Sequence, residues 1–175
     1  MIIVKSTTLT GNLFIFFIIS VINTAISIRL PLSLFRYDSW LFRVKHWEKG
    51  GKFYQHYLYV KKWKNLLPEL SDFLSFLFSK KQMMQYDPVY LSRFIVETCR
   101  AELVHWCIIV SSFIFTYWNT IGMSIVMICI AVALNLPYII IQRYNRPRIL
   151  SILAYKKANL KGTMINDLEI LHKDI

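Results

Sequence analysis

Three long apolar runs, at 13–28, 103–118 and 121–141, constrain this chain more than any other feature. A bilayer's hydrocarbon core is about 30 Å thick and takes roughly 20 helical residues to cross. Inside it every backbone N–H and C=O must find a partner within the protein, which favours helices. The first run is slightly short, at 16 residues, and is closed by Arg29 and Pro31. No small-residue cleavage site follows closely, so it reads as a retained anchor rather than a signal peptide. Ser20, Asn23, Thr24 and Ser27 recur along one face of that helix and suit packing against another helix in the membrane. Only Asn119 and Thr120 separate the second and third runs, which predicts a tight helical hairpin. Pro137 removes a backbone donor from the third run and predicts a bend there. The expected fold is all-α: an integral membrane protein with about three transmembrane helices plus interfacial amphipathic helices.

Charge sets the expected orientation. The chain has 21 Lys and Arg against 10 Asp and Glu, yet it is 55% hydrophobic. A nucleic-acid binder is also basic, but three apolar runs of this length argue against that class. One basic residue, Lys5, precedes the first run; thirteen lie between the first and second, none in the hairpin turn, and seven after the third. Lys and Arg concentrate on the cytoplasmic side of a membrane. The N-terminus is therefore expected outside, with the long loop and the tail in the cytoplasm. Four segments follow: an anchor at 1–28, a cytoplasmic interfacial segment at 29–102, a transmembrane hairpin with an arginine-rich exit at 103–150, and a tail at 151–175. Polar and of mixed charge beyond Leu160, the tail is expected to be mobile.

The interfacial segment interleaves aromatic and basic residues in "KFYQHYLYVKKWK". "LPELSDFLSFLFSKK" follows, with Leu70, Phe73, Leu74, Leu77 and Phe78 near helical spacing. Such helices lie in the headgroup layer or pack on each other as an ordinary core. Asp87 before Pro88 is a helix start, a capping carboxylate followed by proline at the first helical position. A helix, or two nearly collinear ones, is expected over 88–118. The three cysteines, Cys99, Cys107 and Cys129, have no metal-ligand spacing and read as small buried residues.

Two clusters could carry chemistry. "ETCRAELVHW" places Glu97, Arg100, Glu102 and His105 at the mouth of the second run, where charged groups are costly and default to function. Glu102 lies three residues before His105 and Glu97 three before Arg100, so each pair can meet on a helix. A carboxylate holding an imidazole suits a general base. The same spacing also fits an interfacial histidine tied to a helix neighbour. "QRYNRPR", at 142–148, has three arginines able to clamp phosphate: Arg143, Arg146 and Arg148. By charge alone it is also a stop signal against lipid phosphates. Asn135, Gln142 and Asn145 add hydrogen-bonding capacity, and Trp106 and Trp63 are candidate substrate contacts. No metal-ligand set, G-x-S-x-G elbow or glycine-rich phosphate loop occurs.

"EKGGKFYQHYLYVKKWK", "ETCRAELVHW" and "NLPYIIIQRYNRPRIL" resemble the signature segments of the glycosyl-diaponeurosporenoate acyltransferase family, over roughly 35–150. Where the family pattern has a histidine before the glycine of "GKF", this chain has Gly50. The resemblance implies a multi-pass enzyme of the bacterial cell membrane, in staphyloxanthin biosynthesis. Its reaction would esterify a glucose hydroxyl of a glycosylated carotenoid with a fatty acyl chain. The donor would be acyl-CoA or acyl-carrier protein, with no cofactor. The resemblance fixes no catalytic residues. On chemical grounds His105, assisted by Glu102 and set beside Glu97, would act as base. The arginines of 143–148 would hold donor phosphates, and Arg100 or Gln142 would meet the oxyanion. A non-catalytic membrane scaffold binding lipids and other pathway enzymes is the competing reading.

Overall fold

A computed structural model describes residues 8–67 and 88–173, with side chains described up to residue 159. Asp87 and all of the "LPELSDFLSFLFSKK" segment after Leu67 lie outside the described residues. Helix α1 spans Leu9–Arg29 and is capped by Thr8, whose hydroxyl accepts from the Gly11 N–H. Two short helices, α2 (Lys52–Leu58) and α3 (Val60–Trp63), follow a 3-10 turn at His46–Gly51. Helix α4 (Pro88–Ser111) runs into a 3-10 segment, Ser112–Tyr117. Helix α5 (Ile121–Lys173) is assigned unbroken through Pro137 and Pro147, and its backbone stays helical beyond Leu160. Leu9–Arg29, Pro88–Tyr117 and Ile121–Asn159 are each long and apolar enough to cross a membrane, with mean hydropathies of 2.0, 1.3 and 2.4. Among the described residues there is no strand. The chain is an all-helical membrane protein.

The chain divides into two compact units. The first comprises the residues up to Arg43 and Glu97–Arg143. Its core packs Phe16 of α1 against Ile108, Phe115, Met127 and Ala131. Burial here runs opposite to that of a water-soluble bundle. Phe14, Phe17, Val110 and Ile121 are exposed, whereas Asn12, Ser112, Asn119, Ser124 and Asn135 are buried. Lipid solvates apolar side chains, so helices associate through close packing and interhelical hydrogen bonds instead. Asn12 and Asn119 exchange amide hydrogen bonds at 2.9 and 3.0 Å, and the Trp118 indole donates to the same Asn12 oxygen. Lower on the same seam, Asn23 donates to Ser111 Oγ at 3.3 Å.

The second unit comprises Val44–Val96 and Tyr144–Ile175. Leu91, Ile95 and Leu153 form a small core with Ile149 and Leu150. Glu48, 1% exposed, accepts hydrogen bonds from the Lys45 N–H and the Tyr54 hydroxyl. Trp47, Phe53, Tyr54 and Tyr57 pack edge to face or tilted against one another. Lys49, Gly50 and Gly51 all have positive φ, of 47°, 65° and 88°. Gly51 lies against α5, and a Cβ there would sit 2.9 Å from the Tyr144 carbonyl oxygen and 3.3 Å from Pro147 Cγ. Gly51→Ala is therefore expected to destabilise the protein by about 1–3 kcal/mol through overpacking. Gly50→Ala meets nothing within 4 Å, so it carries only the left-handed backbone cost. Thermal unfolding of the detergent-solubilised variants checks this; equal midpoints for the two would contradict the close approach at Gly51.

Candidate functional site

The chemistry-bearing side chains of the first unit sit on facing stretches of α4 and α5. At about 100° per residue, Glu102 and His105 share one side of α4, and Arg100 lies about 140° around from His105. The contacts follow that division. Arg100 donates to both Glu97 oxygens at 3.0 and 2.8 Å, and its guanidinium lies 5.1 Å from the Phe35 ring centre. Its Nε is buried and has no hydrogen-bond partner among the described residues. Glu102 and His105 instead meet residues of α5.

His105 and Glu102 are not paired with each other as their spacing predicts. The Glu102 carboxylate, fully buried, accepts from Arg143 Nη1 at 2.7 Å. His105 Nδ1 is 2.9 Å from Asn135 Oδ1, and its ring stacks on Tyr138 with centroids 4.8 Å apart and planes 8° off parallel. The physical reason is competition. Arg143 offers the carboxylate a full positive charge, and a buried carboxylate needs one. Asn135 then takes the imidazole. Asn135 and Tyr138 are three residues apart on α5 and Gln142 four further on, so the three share one helical stripe. Gln142 is half-buried, and its side chain makes no hydrogen bond among the described residues.

The three arginines expected to clamp phosphate are not brought together. Arg143 is used by Glu102 and by the carbonyls of Leu41 and Arg43, at 3.3 and 3.2 Å, which pin the chain that follows α1. Arg146 is 1% exposed. Arg148 is exposed and belongs to the second unit, where it bonds the Tyr144 hydroxyl with its guanidinium 4.8 Å from that ring. Residues 143, 146 and 148 face three directions on a helix, which a count of charges along the chain does not register. Asn145 accepts from Lys64 Nζ at 3.3 Å, and that ammonium lies 5.5 Å from the Tyr144 ring. Trp63 donates to the Leu58 carbonyl within its own loop, and Trp106 is 39% exposed.

Sequence reasoning missed Tyr138, Tyr144, Lys64 and Glu48. Tyr138 was open to detection, being at i+3 from Asn135; Glu48 was a lone acid in a basic stretch. A groove of about 560 Å³ between α1 and the end of α4, lined by Ile19, Ile22, Asn23, Val110, Ser111 and Ile114 among others, does not include His105.

These features define a class: a helical membrane protein with a histidine, an amide stripe and a buried ion pair on the facing sides of two helices. Residues 38–155 match the family described as glycosyl-4,4'-diaponeurosporenoate acyltransferase. Proteins of that name from Staphylococcus aureus strains N315, USA300 and Newman are each 33% identical over 129 residues, covering 74% of this chain and 78% of theirs. No solved structure matches. The chain belongs to the glycosyl-4,4'-diaponeurosporenoate acyltransferase family and is an acyltransferase.

Proposed function

We propose that the protein esterifies a glucose hydroxyl of a glycosylated carotenoid with a fatty acyl chain at the bacterial cell membrane, using acyl-CoA or acyl-carrier protein as donor. The observation that carries this reading is His105. It is anchored at Nδ1 by Asn135 and stacked on Tyr138, one helical turn from the buried Glu102–Arg143 ion pair. The family supplies the substrate class, a glycosylated carotenoid and an acyl donor. In the step itself the sugar oxygen attacks the thioester carbonyl carbon while its proton passes to His105. The C–S bond then breaks, and His105 returns the proton to the departing thiolate. Gln142, on the same stripe as Asn135 and Tyr138, is placed to donate to the developing oxyanion better than Arg100, which faces another side of α4. The Arg100 Nε–H, without a partner among the described residues, is offered to a substrate or lipid oxygen.

The test is direct: purified protein in nanodiscs, given a glycosylated carotenoid and an acyl thioester, should yield the ester by mass spectrometry. A protein that binds pathway enzymes but forms no ester would be the scaffold instead. The orientation proposed is N-terminus outside, with the loop after α1 and the C-terminus in the cytoplasm, from the Lys and Arg asymmetry. A reporter fused after Ile175 that is active only outside the membrane would reverse it.

A further inference from the structure

We infer that Asn135 is a positioning residue that fixes the tautomer of His105, leaving Nε2 as the atom that accepts the hydroxyl proton. This rests on the acyl-transfer reading above and names the atom through which it works. An amide side chain has one accepting end and one donating end, and which way it points is settled by its neighbours. Asn135 Nδ2 lies 2.8 Å from the Ala131 carbonyl oxygen. A carbonyl oxygen only accepts, so the NH2 end of Asn135 must face it. The oxygen end is then the one at 2.9 Å from His105 Nδ1. An oxygen cannot donate to that nitrogen, so Nδ1 carries the proton. In a neutral imidazole the other nitrogen, Nε2, then holds a lone pair.

Free imidazole side chains favour the opposite arrangement, with the proton on Nε2. Asn135 thus selects the less common tautomer, and it does so in a position where water, which would otherwise exchange the two, is scarce: Asn135 is 5% exposed. The stacked Tyr138 ring restricts rotation of the imidazole about its plane. Nε2 makes no hydrogen bond among the described residues, so its lone pair is available to an incoming hydroxyl. The Glu102 carboxylate, the residue best spaced for this orienting role in the sequence, is engaged by Arg143. An uncharged partner has a consequence of its own. It orients the base without adding negative charge beside it in the membrane.

The experiment has two arms, both on the full chain in nanodiscs. In the first, the protein is labelled with 15N and 13C histidine, and the His105 signals are assigned by comparison with His105→Gln. Near neutral pH the neutral ring should show a protonated Nδ1 and a bare Nε2, and Asn135→Leu should move it towards the Nε2-protonated form. A wild-type ring already protonated at Nε2 overturns the inference, whatever the enzyme's activity. In the second arm, Asn135→Leu should lower kcat for ester formation at least about 10-fold with little change in KM. Asn135→Asp, which keeps an acceptor facing Nδ1, should retain more activity than Asn135→Leu. A purely structural role predicts the reverse order, because leucine suits a membrane helix and a carboxylate does not. That reversed order, in variants of equal abundance, also overturns it. If the tautomer is as inferred but His105→Gln is fully active, the acyl-transfer role of His105 fails while the Asn135–His105 arrangement stands.

Discussion

Replacing His105 with alanine is expected to leave the protein inserted in the membrane and to cut ester formation at least about 100-fold, within the range a positioned base contributes. A sugar hydroxyl is far too weak an acid to ionise first at neutral pH, so its proton must leave as the oxygen attacks. Neither His46 nor His56 lies on α4 or α5, the helices that carry His105 and its partners. The substitution removes a half-buried ring and one hydrogen bond, which is a modest structural change in a helix whose packing is mostly apolar. The quantity to measure is the ratio of acylated to free glycoside in membranes holding equal amounts of each variant. Near-normal product from His105→Ala would reduce His105 to a packing residue and shift attention to Arg100 and Gln142.

A second large effect belongs to stability. Arg143→Leu leaves the fully buried Glu102 carboxylate without the guanidinium at 2.7 Å and frees the Leu41 and Arg43 carbonyls. Breaking a buried ion pair from one side costs about 3–5 kcal/mol, whereas replacing both partners with apolar residues is often close to neutral. Arg143→Leu and Glu102→Leu should each lower the thermal midpoint and the steady-state amount of protein sharply. The double variant should recover much of the loss. If the single variants are as stable as the parent, the pair is not structural. The double variant also separates stability from chemistry. Ester formation in proportion to its abundance makes the pair a brace; a stable but inactive double variant makes it part of the site.

Much of the fold is legible in the sequence because lipid is an unforgiving solvent. Runs at 13–28, 103–118 and 121–141 have few other places to go, and the helix expected over 88–118 is helical from Pro88 to Tyr117. The Glu97–Arg100 pair is legible for a similar reason, since both partners sit on one helix and their spacing alone brings them together. Glu102 and His105 have the same spacing and do not pair, because better partners arrive from α5, some forty and thirty residues along the chain. Spacing within a helix cannot rank a neighbour against a distant competitor. The arginines of 143–148 misled for a related reason. They form a cluster along the chain, but helical rotation sends one to an ion pair, one into the interior and one to the surface.

The Asn12–Asn119 exchange sets a limit on how α1 can move. A hydrophobic contact tolerates sliding, because one apolar surface is much like the next, and in lipid even separation is mild. A pair of amides that each give and take one hydrogen bond fits in a single alignment. Advancing α1 by one residue would turn Asn12 by about 100° and lift it about 1.5 Å, breaking both bonds and pointing the amide at hydrocarbon. The pair therefore works as an indexing pin. It holds the first helix at one rotation and one depth, so α1 cannot act as a piston or a rotor without first withdrawing that pin.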